Sequence, residues 1–435
     1  MNRFWSALLI FLWFFELQVV LFSQEPGISF SSVPPLGSEG NLTGKVHNVS
    51  PADHGVAVYI FVQGWWNKPS FAAPLTPIGS NGAWTCDIVS AGADSVARKV
   101  AAFLVPKDYQ PPLLEGTAVL PHELFENSLA TLQAARRSEN AFSFSGYDWD
   151  VKTSGSFGFG PGPNVFSDDP ENVWVDEEGK LHLKITYRDG VWNCAEVVSF
   201  RSFGYGTYRF YVESALDELD ANVVLGLFTW SDDPAYAYRE IDVEIAKWSN
   251  PSDPTNAQFV VQPWNNPGNL ARWTIPPGAA PTTHSFDWEA SEIRFESHNG
   301  EVQLPITEPP VISQWNYMGN DIPVPGDEQV RMNLWLVNGL PPTDGQEVEI
   351  VISRFAFIPS TLPEPDLTSV DLNEDGLVIR ANGQPQLFYF LESASGLEDW
   401  EEIDSRVVDE TEIQFTVPVS PDSENKFYRI RVPDQ

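Results

Sequence analysis

The stretch YREIDVEIAKW, residues 238–248, sets Glu240, Asp242 and Glu244 at every second position with Ile241, Val243 and Ile245 between and after them. Side chains of a β-strand alternate between faces, so this segment reads as a strand with one apolar face and one face of three carboxylates. Such a strand belongs in a sheet whose apolar side is covered by a second layer. Three like charges in a row repel one another, and the arrangement costs stability unless something uses it.

The surrounding chain reads the same way. From Phe142 to Pro359, many short aromatic-rich runs lie between turn signals, with no strong helical period. That length suits one all-β sandwich of two large antiparallel sheets, assigned to residues 141–360. Residues 24–120, with HGVAVYIFVQGWW and KVAAFLVP, read as a smaller β-sandwich. PHELFENSLATLQAARRS then breaks the β texture, and Leu124, Phe125, Leu129 and Leu132 recur at helical spacing. An amphipathic connector helix is expected within 121–140. STLPEPDLTS is a Pro-rich linker, and residues 366–435 alternate again as a third, accessory β-sandwich.

Residues 1–23, MNRFWSALLIFLWFFELQVVLFS, carry Arg3 and then an apolar run broken only by Glu16 and Gln18. They read as a secretory signal peptide, with a retained membrane anchor as the competing reading. An extracellular or periplasmic destination follows, and no other stretch is apolar enough to cross a membrane. The net charge of −35 would repel nucleic acid. It also argues against strongly sulfated or carboxylated polymers as substrate, unless the fold builds a local basic patch. Cys86 and Cys194 are the only cysteines, forming either one long-range bridge or two buried thiols in separate domains. The six histidines show no ligand spacing, so no transition metal is expected. No cofactor is implied, although a structural calcium ion is compatible with the chain; a monomer is expected. GFGPGPN, residues 158–164, opens no helix and is not a phosphate cradle. DLNEDG, residues 371–376, copies half of a calcium loop, but its twelfth position is Asn382, so it reads as a tight Asp-Gly hairpin turn.

Paired carboxyls at a strand face suit glycoside hydrolysis, where one is nucleophile and the other acid and then base, about 5–5.5 Å apart in retaining enzymes. Glu240 and Glu244 start about 13 Å apart at Cα, so they serve as the pair only if the strand curves and the side chains lean together. Asp242 between them would hold or share a proton and keep the two glutamates at different pKa values. The chain also holds 16 Trp and 28 Phe, enough to fill a core and line a sugar cleft; composition does not divide the two uses.

EIDVE matches the E-x-D-x-E signature of glycoside hydrolase family 16, and the likeness extends along the chain. NCAEVVSFRSFGYGTYRFYVE (193–213) resembles the lichenase stretch running from Cys-Ala-Glu through Tyr-Gly-Tyr-Gly. NVVLGLFTWSDDP, AQFVVQPW, THSFDWEASEIRFES and MNLWLVNG (332–339) follow in the family's order. The resemblance implies a jelly-roll catalytic domain with Glu240 as nucleophile, Asp242 as assisting acid and Glu244 as general acid/base. By the same positional match, Glu196, Trp230, Asn333 and Trp335 would line the cleft. Asn222 is read as a cleft amide or a turn residue, and Trp248 and Trp264 as further platforms; for each tryptophan, core packing is the competing reading. The chain departs from lichenases at Val198, where they have Arg, and at Gln262, where they have a substrate-contacting Tyr. It also lacks the partner that Cys194 has there. These departures bear on specificity and leave the acidic strand intact. The implied activity is retaining cleavage of internal β-linkages in a neutral or weakly charged β-glucan or galactan. A lectin-like binder on the same fold and a transglycosylase are the alternatives.

Overall fold

The computed structural model describes residues 25–90, 92–302, 309–361, 365–373, 376–383, 385, 388–395, 400–408, 411–418 and 426–432. The segment read as a signal peptide lies outside the described residues. Three groups of strands follow one another, and helix is confined to short turns among the described residues.

In the first group, Gly27–Ser32, Leu42–His47 and Ala83–Cys86 form one sheet. Glu115–Thr117, Trp65–Lys68, His54–Phe61, Lys99–Pro106 and Ala130–Ala135 form the other, in that order. Leu42, Val58, Ile60, Trp84, Val100 and Leu104 fill the space between the sheets. The connector helix expected over 121–140 is not formed. Helix is limited to His122–Glu126, and Ala130–Ala135 is a strand that pairs with Lys99–Pro106. An isolated helix of this length is marginal in water, whereas the open edge of Lys99–Pro106 offers a full backbone ladder. The apolar stripe is therefore not used as one: Leu124 is buried while Phe125 and Leu129 are exposed. Arg136 locks the strand's exit, donating to the carbonyls of Pro34 at 3.0 Å, Pro35 at 2.7 Å and Ser38 at 2.9 Å.

The middle group is a sandwich of two antiparallel sheets. One runs Leu270–Trp273, Ala257–Val261, Ile241–Ile245, Val223–Trp230, Gln329–Leu336, Val191–Ser199, Tyr147–Val151 and Phe142–Phe144. The other runs Val173–Val175, Leu181–Arg188, Val348–Pro359, Gly206–Val212, Thr282–Trp288, Ile293–Asn299 and Val311–Tyr317. Leu181–Arg188 and Val191–Ser199 join them through a two-residue turn in which Asp189 and Gly190 both have positive φ, at 52° and 83°. That is the left-handed geometry favoured by Asp-Gly in hairpins. Much of the aromatic content is spent between the sheets: Trp149 packs edge-on against Phe355 at 5.4 Å, and Tyr208 stacks on Phe286 at 4.7 Å. Such pairs add about 0.5–1.5 kcal/mol each beyond the area they bury.

The third group places Asp366–Asn373, Gly376–Asn382 and Glu412–Val417 in one sheet and Phe388–Ala394, Glu401–Val407 and Phe427–Arg431 in another. Asn373 lies opposite Gly376, as a tight hairpin at DLNEDG requires, with the turn residues 374–375 outside the described set. Cys86 and Cys194 are both free and buried, so no bridge joins the first two groups.

Candidate active site

Within Ile241–Ile245 the alternation works as written. Ile241, Val243 and Ile245 are fully buried in the sandwich core, which turns Asp242 and Glu244 to the opposite face. Glu240 precedes the strand, at the end of a turn in which Tyr236, Ala237, Tyr238 and Arg239 all have left-handed φ of 54°, 50°, 64° and 52°. Left-handed helical backbone costs an L-residue roughly 1–2 kcal/mol. Surrounding bonds impose it. Arg239 Nε donates to the Val324 carbonyl at 3.0 Å, Thr229 Oγ1 to the Arg239 carbonyl at 2.8 Å, and Ser231 N to the Tyr238 carbonyl at 2.7 Å. The result is a strained segment that delivers Glu240 to the acidic face and lays Tyr238 on Trp230, with ring centroids 4.5 Å apart and planes within 6°.

Strand register orders the face into rows. Asp242, Phe228, Arg331 and Val198 are successive cross-strand partners, and so are Glu244, Gly226, Asn333 and Glu196. A cavity of about 480 Å³ lies over these rows, lined among others by Trp230, Glu240, Asp242, Glu244, Asn333 and Trp335. A Cβ at Gly226 would stand 2.4 Å from Asn333 Oδ1, so a larger residue there would displace that amide.

Each acid has its own surroundings. Burial, and then Glu244's charge, pushes Glu240 up to about 8, while a hydrogen bond from Asp242 opposes the rise. Burial and the two glutamates hold Asp242 well above the carboxylate range. The hydrogen bond between the two lowers Glu240 and raises Asp242, so Asp242 is its donor and Glu240 its acceptor. Burial raises Glu244 to about 7 against a hydrogen bond from Gln258 and the nearby Arg272. These protons belong to the cluster rather than to single residues. At neutral pH the site keeps protons that solvated carboxyls would have lost.

The other sequence-derived candidates divide. Glu196 does line the cavity, but within an ion pair: Lys152 Nζ is 2.7 Å and Arg331 Nη1 2.9 Å from its carboxylate. Gln262 supports chemistry rather than facing the cavity, its amide donating to Asp242 Oδ2 at 3.3 Å. Trp248 packs edge-on against Trp335 at 6.0 Å and donates to Gln258 Oε1 at 3.2 Å, so it buttresses the wall. Trp264 is 62% exposed and stands outside the cavity. Asn222 is a correction: its amide donates to the Pro341 carbonyl at 2.7 Å and it does not line the cavity, so it is the turn residue. A loop ahead of the strand brings Asp220 to bond the Asn222 backbone, which fixes that turn.

Several lining residues were not anticipated. Arg331 lies two positions before Asn333 and four before Trp335, which the resemblance singled out, so the two-residue alternation of a strand sets all three on one face. Tyr238 stands two residues before Glu240, so the alternation of the acidic stretch extends to it. Lys152 and the Phe159–Pro161 loop carry no local signal. The first strand group also reaches the site, through Phe61, Gln63 and Arg98. Arg98 Nη2 meets both oxygens of Asp232, at 3.0 and 3.1 Å, and Lys99 Nζ meets the same carboxylate at 2.9 Å. Arg137 lies 3.7 Å over the Phe200 ring at the same junction. The N-terminal sandwich therefore supplies one wall of the cavity.

No protein-family model matches the chain, and no curated protein sequence matches it. Solved structures do. The β-glucanase of Bacillus licheniformis is 18% identical, covering 50% of this chain and 97% of its own, with a TM-score of 0.37. An immunostimulatory antigen and pseudo β-1,3-glucanase of Mycobacterium tuberculosis is 18% identical over 51% of this chain and 97% of its own, with a TM-score of 0.39. A Bacteroides ovatus mixed-linkage-glucan protein of glycoside hydrolase family 16, solved with a product, is 13% identical over 50% and 97%, with a TM-score of 0.38. The chain is similar to these glucanase-fold structures over about half its length.

Proposed function

We propose that this protein is a glycoside hydrolase that cleaves internal β-glycosidic linkages of a β-glucan or galactan with retention, by double displacement. The observation that carries the reading is the strand Ile241–Ile245 and the residue before it presenting three carboxyls to an aromatic-walled cavity, where burial raises the proton affinity of each. Glu240, accepting a hydrogen bond from Asp242, attacks the anomeric carbon as its bond to the glycosidic oxygen breaks. Glu244 gives its proton to that leaving oxygen. In the second step Glu244 takes a proton from water, the water oxygen attacks the anomeric carbon, and Glu240 is released. Trp230, Tyr238 and Trp335 offer ring faces to pyranose units, and Asn333 offers an amide. Replacing water by a sugar hydroxyl in the second step would make the protein a transglycosylase without changing its machinery. Secretion as a monomer, under a signal peptide at residues 1–23, completes the reading. Incubating the purified protein with a panel of polysaccharides and weighing the products tests it. Oligosaccharide release from at least one β-glucan or galactan is expected, and none from any member of the panel contradicts it.

A further inference from the structure

Arg331 is 4% exposed, and its guanidinium is only partly used. Nη1 donates to Glu196 at 2.9 Å, while Nε and Nη2 have no hydrogen-bond partner among the described residues. Asp232 Oδ1 lies 3.9 Å from Nη2, beyond hydrogen-bond distance. Nε–H and the adjacent Nη–H of an arginine point the same way and form the side-on fork that matches two oxygens of an oxyanion. Here that fork belongs to a residue lining the cavity. A buried donor without a partner costs about 1–3 kcal/mol, and more when it is charged.

The charge around the fork is not that of the whole chain. Acids outnumber bases by 60 to 25 overall. At the junction, Arg98, Lys99, Lys152, Arg239 and Arg331 meet Glu196, Asp232, Asp233 and Asp327, five cations against four carboxylates, with Glu240, Asp242 and Glu244 lining the same cavity. Glu196 and Asp232 each already hold two cations, so the free edge of Arg331 is what the network leaves over. Burial and the neighbouring Arg98 weaken the protonated guanidinium, which an incoming anion would restore. Two residues along the same strand, Asn333 Oδ1 is also buried without a partner and offers an acceptor for a hydroxyl. A donor fork beside a hydroxyl acceptor suits a sugar that carries an acid. Arg331 and Asp242 share a row with Phe228 between them, which sets their Cα atoms roughly 9–10 Å apart. The fork therefore serves a sugar unit beside the one that reacts.

We propose that Arg331, at the junction of the cavity with the N-terminal sandwich, forms a subsite for an acidic sugar unit, its Nε–Nη2 edge gripping a carboxylate or sulfate-ester group while Asn333 takes a hydroxyl. The proposal rests on the reading of this cavity as a sugar site, and it replaces the expectation of a neutral polymer.

Calorimetric titration of the full-length protein with glucuronic acid, galacturonic acid and galactose 6-sulfate, against glucose and galactose at one ionic strength, tests it. At least one acidic sugar should bind ten-fold or more tighter than its neutral parent. Preference confined to the uronic acids assigns a carboxylate, and preference confined to the sulfated sugar assigns a sulfate ester. Arg331→Lys keeps the charge facing Glu196 but lacks the fork, and it should erase the preference. Equal binding of acidic and neutral sugars, no binding of any acidic sugar, or a preference that survives in a folded Arg331→Lys protein overturns the proposal. The wild-type comparison decides alone should the variant not fold. Binding requires no turnover: acid preference without cleavage of any polymer would retire the hydrolase reading, and cleavage without acid preference would retire only this one.

Discussion

Gln258 lies directly across the sheet from Glu244 and donates its amide to Oε2 at 2.7 Å. Its own carbonyl oxygen accepts from Trp248 Nε1 at 3.2 Å and from Arg272 Nη1 at 3.0 Å, so the amide is held with its donor toward the acid. This bond favours the ionised form of Glu244 and keeps its pKa from rising further. Gln258→Leu should therefore raise that pKa above about 7. The protonated acid required in the first step would then persist to higher pH. The alkaline limb of the kcat/KM profile should move upward, while the water-activating step slows. A pH–rate series on wild type and variant checks this, and an unmoved or acid-shifted alkaline limb contradicts it.

The acidic strand should be a stability burden that grows with pH. Glu240 is raised from the ordinary glutamate value to about 8, so between those two values the folded protein holds a proton that the unfolded chain has lost. Stability then falls as pH rises through that window and levels off above it. Across the window the loss amounts to about 1.4 kcal/mol for every pH unit. Glu240→Gln removes Glu240's share of the titration while keeping the shape, and Asp242 and Glu244 still titrate. Its melting temperature should match wild type near pH 4.5 and exceed it by several degrees at pH 8–9, at roughly 2–4 °C per kcal/mol. A gain that is equal at both pH values would argue that the carboxyl is not buried in the folded state.

Asp232 carries the opposite sign. Burial alone would raise it, but Arg98, Lys99 and Arg331 hold it far below the usual carboxylate range. Its contribution is present above about pH 4, the unfolded value, and is lost as pH falls through the lower folded value. Asp232→Ala leaves Arg98 and Lys99 without that partner at the junction, and charged hydrogen bonds of this kind are worth about 1.5–3 kcal/mol each. The variant should melt lower at pH 7, with the deficit shrinking below pH 4. It should also show a raised KM, because Arg98 holds a wall of the cavity. Unchanged KM with a normal melting temperature would show that the N-terminal sandwich does not shape the site.

The acidic strand and the layered sandwich were legible because both depend on a local two-residue period. The same period, followed along Arg331, Asn333 and Trp335, reaches the cavity's guanidinium. The resemblance drew attention instead to Val198 and the arginine absent there, yet Arg331 stands directly opposite Val198 on the neighbouring strand. Pairing across strands is not written in either segment alone. The helix expected over 121–140 failed for a related reason, since the open edge of Lys99–Pro106 outweighed a weak local preference. Asn222 read from the sequence as a cleft amide or a turn residue, and its bond to the Pro341 carbonyl, a residue far along the chain, favours the turn. The wall built by Phe61, Gln63 and Arg98 needed tertiary structure, because nothing near residues 61–98 points to residue 232.

The most direct test of the mechanism is NMR of the anomeric product, for wild type and then for azide-rescued variants. Wild type should release product of retained configuration. Glu240→Ala should lose turnover on every substrate, and azide should restore cleavage with an inverted product, since no other nucleophile stands at the anomeric carbon. Glu244→Ala should still complete the first step on an aryl glycoside with a good leaving group, and azide should then give a retained product. Inversion by the wild type, or full activity in Glu240→Ala, would contradict the account and return Ile241–Ile245 to an ordinary acidic face of a sheet.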